Sequence, residues 1–432
     1  MKKFGGSAHD LTTDQNRPCD PARRDFLQKA AAVGAAALSP VPLVSSAQGS
    51  EAALQKVLDD SVAAGRVPFV IGMTGKTSGV TFASASGDAA PGMKAAPDTV
   101  LKIFSMTKGI GSTAAMILVE QGKMDYDTPV QDVLPEFAEL RVLEGWDGDT
   151  PKMRPPKVKA TARHLATHTS GLEYEFWRAE VGEYLTKTKR PSILAGTKAA
   201  LFYPMMTDPG TRWGYGPSVD WLGLMVEKVS GQRIDAFLKQ NIFEPLGMKD
   251  TDVEVRPHMQ ARLAGAKARG ADGKFADFAI APPSNPEVYG MGHSLYSTAP
   301  DYMRFLRMFL NKGTLDGNRV LKESSVALML QNHMGPLKFE KMVTAAPAIT
   351  ADCDPFAGTT RTHSYGFLRN EADIPGGRRA GSQTWAGVLN THFWFDPTAD
   401  LAGLIMTQTL PFVEPPFMAA YEAFEKTAYG NA

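Results

Sequence analysis

Cysteine is almost missing from this chain: its 432 residues include two, Cys19 and Cys353. Cys19 falls in a leader described below. The mature chain would then hold one thiol, which excludes a disulfide-stapled fold and leaves Cys353 as a packing or surface residue. Net charge is missing too. Lys plus Arg and Asp plus Glu both total 46, so no electrostatic footprint for nucleic acid or an anionic membrane is present. The strongest apolar run, residues 30–44, is too short to span a bilayer and contains Pro40 and Pro42. Signature loops are absent as well. Gly75-Lys76-Thr77 has Val70 where a phosphate loop needs glycine. No Gly-x-Ser-x-Gly elbow occurs; Gly292-His293-Ser294-Leu295-Tyr296 ends in Tyr, which argues against a doubly wound hydrolase. His164 and His168 have zinc-ligand spacing without an intervening Glu, and structural roles are favoured for both. His392, on an expected strand, is read as packing. The chain therefore calls for neither metal nor cofactor.

The N-terminus reads as a targeting segment. Arg23-Arg24-Asp25-Phe26-Leu27 precedes the apolar run, and Ser45-Ser46-Ala47 supplies small residues for cleavage. Residues 1–47 are thus expected to be a twin-arginine-type signal, with a periplasmic protein after cleavage and no stable membrane anchor. A disordered Ala-rich leader or an uncleaved anchor is the competing reading.

Beyond it, residues 50–64 have the apolar spacing of an amphipathic helix, and residues 67–86 that of a strand pair. Residues 105–120 are helical by spacing, as are 217–230. Thr298-Ala299-Pro300 opens a helix to Leu310. Near the end, residues 388–395 and 401–407 read as strands and 416–427 as a helix. Strand-rich ends around a helical middle indicate an α+β fold: an antiparallel sheet flanked by terminal helices, with an inserted, mainly helical domain. The expected boundaries are 48–130 and 295–432 for the sheet domain and 131–294 for the insertion. Residues 333–363 show no periodicity; their role stays open, and a loop over the pocket is one reading.

Ser105-Met106-Thr107-Lys108 is the best candidate for chemistry. At i and i+3 on a helix, the hydroxyl and the amine share a face, and Ser105 sits where free N–H groups and the helix dipole favour developing negative charge. Burial would lower the pKa of the Lys and let it take a proton. The spacing alone is unspecific in a chain with this much Ser and Lys, but Phe104 and Gly109-Ile110 make its surroundings apolar. Tyr215, in Trp213-Gly214-Tyr215-Gly216-Pro217-Ser218, is a phenol on a Gly-flanked turn ahead of a helix. Trp385-Ala386-Gly387 opens the last strand pair; Gly387 would let a substrate lie along the strand, with the N–H of Val388 free to donate. Singly, each of the last two reads more readily as a packing element than as a catalytic one.

Together, Ser-x-x-Lys, Tyr-x-x-Ser and Trp-x-Gly resemble the serine esterases with a class C β-lactamase fold, the family VIII esterases, related in fold to penicillin-binding transpeptidases. The resemblance extends over nearly all the mature chain, through Ala166-Thr167-His168-Thr169-Ser170-Gly171-Leu172, Glu244-Pro245-Leu246-Gly247-Met248 and Leu295-Tyr296-Ser297-Thr298-Ala299. It implies that Ser105 is the nucleophile, Lys108 and Tyr215 the proton-handling pair, and Trp385 and Gly387 part of the substrate pocket. It further implies an oxyanion hole from the backbone N–H groups of Ser105 and Val388. Which of Lys108 and Tyr215 is the base stays open. Two departures matter: Pro217 replaces the Asn of Tyr-x-Asn, and Trp385 replaces the Lys of Lys-Thr-Gly, the cation expected to meet a β-lactam carboxylate. The expectation is hydrolysis of a small-molecule carboxylic ester through a Ser105 acyl-enzyme. Amidase or peptidase action, acyl transfer, weak β-lactamase activity and a non-catalytic binding role are the alternatives.

Overall fold

The computed structural model describes residues 50–430; the expected signal with Arg23 and Arg24 lies outside the described residues. Helix α1 (Glu51–Ala63) starts at Ser50, whose hydroxyl accepts the Ala53 N–H at 3.1 Å. Strands β1 (Phe69–Lys76) and β2 (Gly79–Ala90) follow as a hairpin whose turn is tied down by Asp400 on Thr77. With β3 (Met93–Lys94), β4 (Arg361–His363), β5 (Leu368–Asn370), β6 (Gln383–Gly387), β7 (Thr391–Asp396) and β8 (Leu401–Met406), they form an eight-stranded sheet. Its order is β4-β5-β6-β7-β8-β1-β2-β3, antiparallel throughout. The expected α+β architecture is what is found.

Alternation divides the sheet's residues between two cores. Val70, Trp394 and Ile405 face α1 and the last helix, α5 (Pro415–Ala428), against Leu58, Tyr421 and Phe424. Ile71, Phe393, Phe395 and Leu404 face the other way, against helix α4 (Ala299–Leu310) through Tyr302, Phe305 and Phe309. Burying each such side chain contributes roughly 1.5–3 kcal/mol. Gly403 makes room for Trp394: a Cβ there would lie 2.1 Å from the indole.

Helix α2 (Thr107–Glu120) is buried from Thr107 to Leu118, sheathed by the sheet-side aromatics and by helix α3 (Ser218–Ser230). Residues 388–390 do not belong to the strand expected there. They turn, because Asn390 adopts φ +60° and its side-chain amide is committed to Thr409, Pro411 and Val413. β6 is also not an edge strand, since β5 pairs with it. That pairing covers only Gln383 and Thr384, so the edge from Trp385 to Val388 stays open. The middle of the chain holds more strand than expected, in hairpins Val142–Asp147/Thr150–Arg154 and Lys267–Arg269/Phe275–Asp277. Their charged and proline-containing, half-exposed sequences carry little alternation.

Candidate active site

The polypeptide enters α2 through a strained residue. Phe104 has φ +39°, a left-handed conformation that a buried aromatic residue adopts at a cost of about 1–2 kcal/mol. Ser105 follows in a single 3₁₀ turn, Phe104–Met106, that feeds directly into α2. Its neighbours Phe104 and Met106 are buried, whereas Ser105 is half-exposed to a cavity.

Lys108 is 1% exposed. Its ammonium has three N–H donors, and three acceptors meet them: Ser105 Oγ at 3.1 Å, Tyr174 OH at 3.2 Å and the Gly292 carbonyl at 2.8 Å. All three are uncharged. Sequence spacing correctly joins Ser105 to Lys108 but does not reveal Tyr174 or Gly292. Burial, with the charges of Asp220 and Tyr215 adding to it, holds the Tyr174 phenol well above its ordinary range, so it stays protonated.

Tyr215 reaches the same amine through its ring, with Lys108 Nζ 4.8 Å from the ring centroid. Its hydroxyl accepts the Trp385 indole N–H at 3.1 Å. The two tyrosines are brought together because their loops pair: Tyr174 N–H donates to the Tyr215 carbonyl at 3.0 Å. Gly216 permits this approach, since a Cβ there would lie 2.1 Å from the Leu172 carbonyl oxygen. Ser218, the last residue of Tyr-x-x-Ser, turns away and pairs with Ser170 at 2.8 Å.

The same logic sets β6 against the Ser105 turn. A Cβ on Gly387 would come within 2.2 Å of the Ile103 carbonyl oxygen, so only glycine lets the strand end lie there. Val388 is thereby placed on the cavity wall with Ser105, Tyr215 and Trp385. The backbone N–H groups of Ser105 and Val388 have no hydrogen-bond acceptor among the described residues. Two such donors beside a serine hydroxyl suit an oxyanion.

The cavity measures about 550 Å³. Phe176, Trp177, Met342, Phe356, Phe412 and Met418 give it an apolar lining. Residues 342 and 352–357, from the aperiodic segment, form part of the wall, in agreement with the loop-over-pocket reading. Cys353 is one of them, buried, with its thiol pushed up to about 12 by desolvation and the charge of Asp354. His168 and His363 pack around Tyr215 and Trp385. Burial, then the charges of His363 and Lys108, drops His168 well below its ordinary value; burial takes His363 to about 4. His164 instead accepts the Thr161 N–H at the start of a short helix. His392 packs, as expected, between Phe412, Phe417 and Tyr421.

The beta-lactamase family profile matches residues 54–428. The chain belongs to the beta-lactamase family. Within it, the chain is 32% identical over 346 residues to the monacolin J acid methylbutanoyltransferase of Aspergillus terreus, covering 77% of this chain and 83% of that one. It is 31% identical over 343 residues to the lovastatin esterase of Penicillium rubens, covering 74% and 82%. The unliganded simvastatin synthase structure from Aspergillus terreus matches with a TM-score of 0.73 at 28% identity, covering 87% of this chain and 97% of that one. This family member therefore stands among the serine hydrolases and acyltransferases of the β-lactamase fold.

Proposed function

We propose that the protein hydrolyses carboxylic esters through an acyl-enzyme on Ser105. The observation that carries this reading is the Lys108–Ser105 contact of 3.1 Å at the wall of an apolar cavity. Ser105 Oγ attacks the ester carbonyl carbon while its proton passes to the Lys108–Tyr215 pair. The N–H groups of Ser105 and Val388 hold the oxyanion, and the pair returns the proton to the departing alcohol. Water then attacks the acyl-serine by the same route in reverse. The group bonded to the Tyr215 hydroxyl is the Trp385 indole, not a cation, which favours a neutral acyl substrate over a β-lactam carboxylate.

A second reading is acyl transfer to an alcohol, favoured by the 32% identity to a methylbutanoyltransferase. In it, an alcohol in the apolar cavity replaces water in the second step. Export to the periplasm remains a proposal resting on Arg23-Arg24 and the apolar run behind them. Changing both arginines to lysine should keep the protein in the cytoplasm.

The test is turnover of p-nitrophenyl esters by wild type and Ser105→Ala, beside a cephalosporin and a D-amino-acid amide. Ester cleavage lost in the variant supports the reading. Equal rates in both proteins, or a cephalosporin cleaved fastest, would overturn it. Adding an alcohol and measuring the ratio of new ester to free acid separates transfer from hydrolysis.

A further inference from the structure

Asp220 is the charged group of this site that the proton-transfer scheme above leaves without a part. It sits in the first turn of α3, and its side chain is 0% exposed. The carboxylate accepts the Gly292 N–H at 3.0 Å through Oδ1, and His293 Nδ1 lies 3.3 Å from the same oxygen. Oδ2 has no hydrogen-bond partner among the described residues. Gly292 is the residue whose carbonyl takes Lys108 Nζ at 2.8 Å. One peptide segment thus joins a buried carboxylate to a buried ammonium.

The packing makes this link rigid. A Cβ on Gly290 would lie 2.4 Å from Asp220 Oδ1, and one on Gly292 would lie 2.4 Å from Oδ2. Between them, Met291 presses on Gly111 of α2 and Gly223 of α3. The segment is clamped between the helix that bears Lys108 and the helix that bears Asp220. Asp220 meets the Gly292 N–H and His293 and leaves Oδ2 unpaired, a costly way to hold a loop, because a neutral Asn accepts the same N–H without burying charge. Burial alone would raise Asp220. His293, Lys108 and the Gly292 amide together hold it below its ordinary value, so it is ionised at neutral pH.

We propose that Asp220 is a positioning residue for Lys108: through Gly292 it fixes the carbonyl that aims the amine at Ser105, and its charge faces the amine across that residue. This rests on the reading of Ser105 as nucleophile and Lys108 as its proton partner. The titratable groups around the pair are Tyr174 and Glu175 on one loop, Tyr215 on the next, His293 beside Gly292, and Tyr203, His168 and His363 from the elements packed against them. Tyr174, His168 and His363 stay neutral near pH 7, and Asp220 is an anion that faces Lys108 from α3.

The sign of the effect follows. A nearby anion favours the charged form of an amine and strengthens it as a base, so removing the Asp220 charge should slow a step in which an amine takes the serine proton. The experiment compares wild type, Asp220→Asn and Asp220→Ala. It reads kcat/KM for a p-nitrophenyl ester and the rate of Ser105 labelling by a fluorophosphonate, both against pH, with melting temperature as the fold control. Labelling reports Ser105 activation whether the final acyl acceptor is water or an alcohol. Asp220→Asn should melt at or above the wild-type temperature, move the acid limb of both profiles about one pH unit lower, and lower the plateau about 10-fold. Asp220→Ala, which also frees the Gly292 N–H, should lose about 100-fold or more at the plateau. An Asp220→Asn profile with an unmoved acid limb, or an Asn variant that fails to fold, would overturn the proposal and leave the catalytic reading intact. A wild type that neither labels nor cleaves would overturn that reading instead.

Discussion

Arg378 and Lys108 are both fully buried cations, and their surroundings differ in kind. Arg378, under α5, meets Glu425 in a two-pronged pair at 2.7 Å on each side, adds the Tyr421 hydroxyl, and lies 5.4 Å over the Trp394 ring. Lys108 donates to neutral oxygens and lies beside the Tyr215 ring, and Asp220 reaches it through the backbone of Gly292. The first arrangement neutralises charge where it stands and resists change. The second leaves the amine without a carboxylate in contact. One cluster commits buried charge to cohesion, the other to reactivity, although Tyr421 and Glu425 border the same cavity as Ser105.

The contrast can be broken most severely at Lys108. Lys108→Met keeps the stem and removes the amine; ester turnover should fall about 10³- to 10⁴-fold, with a melting temperature equal to or above wild type. A parallel loss of stability would mean that the amine also holds the fold. Arg378→Ala should show the reverse. It leaves Glu425 buried without its partner, so chemical denaturation should report a loss of about 3–5 kcal/mol while kcat of the folded fraction stays within a few-fold.

Acid sharpens the comparison next. His363 and His392 are held neutral at about 4 and about 3, mainly by burial, while in the unfolded chain both titrate in the ordinary histidine range. Their stabilisation is whole above that range and is lost as pH falls from it towards the folded values, about 3 kcal/mol for His363 and about 5 kcal/mol for His392 at the limit. Urea midpoints should therefore drop steeply below pH ~6.5, and His392→Phe, which suits its aromatic surroundings, should flatten that drop. The smallest effect is expected at Tyr174→Phe. It deletes one of the three acceptors on Lys108, and kcat should fall about 10-fold without a matching change in melting temperature.

The sequence made some of this legible and hid the rest for physical reasons. The Ser105–Lys108 pair follows from helical spacing, and the terminal helices and central strands from periodicity and caps. Thr298, for example, does cap α4 through the Asp301 N–H. Tyr174 escaped because its role depends on two loops pairing far from α2 in sequence, and Glu173-Tyr174-Glu175 has no periodic pattern to mark it. Gly292 escaped because it acts through its carbonyl, which no residue type advertises. Its segment drew notice only as a failed nucleophile elbow. The open half of β6 likewise depends on how far β5 extends, a tertiary outcome.

The cavity wall carries a separate consequence. The groups placed around the reacting centre come from α2, the two tyrosine loops, the 290–292 segment and the end of β6, whereas Met342, Cys353 and Phe356 come from a segment with no share in them. Part of the fit is thus written on a stretch of polypeptide that carries none of the chemistry, while Phe176, Trp177 and Trp385 serve the lining from the reacting stretches themselves. Natural variation can redraw the roof without disturbing the engine, and an engineer seeking a new substrate has the same freedom between residues 342 and 357.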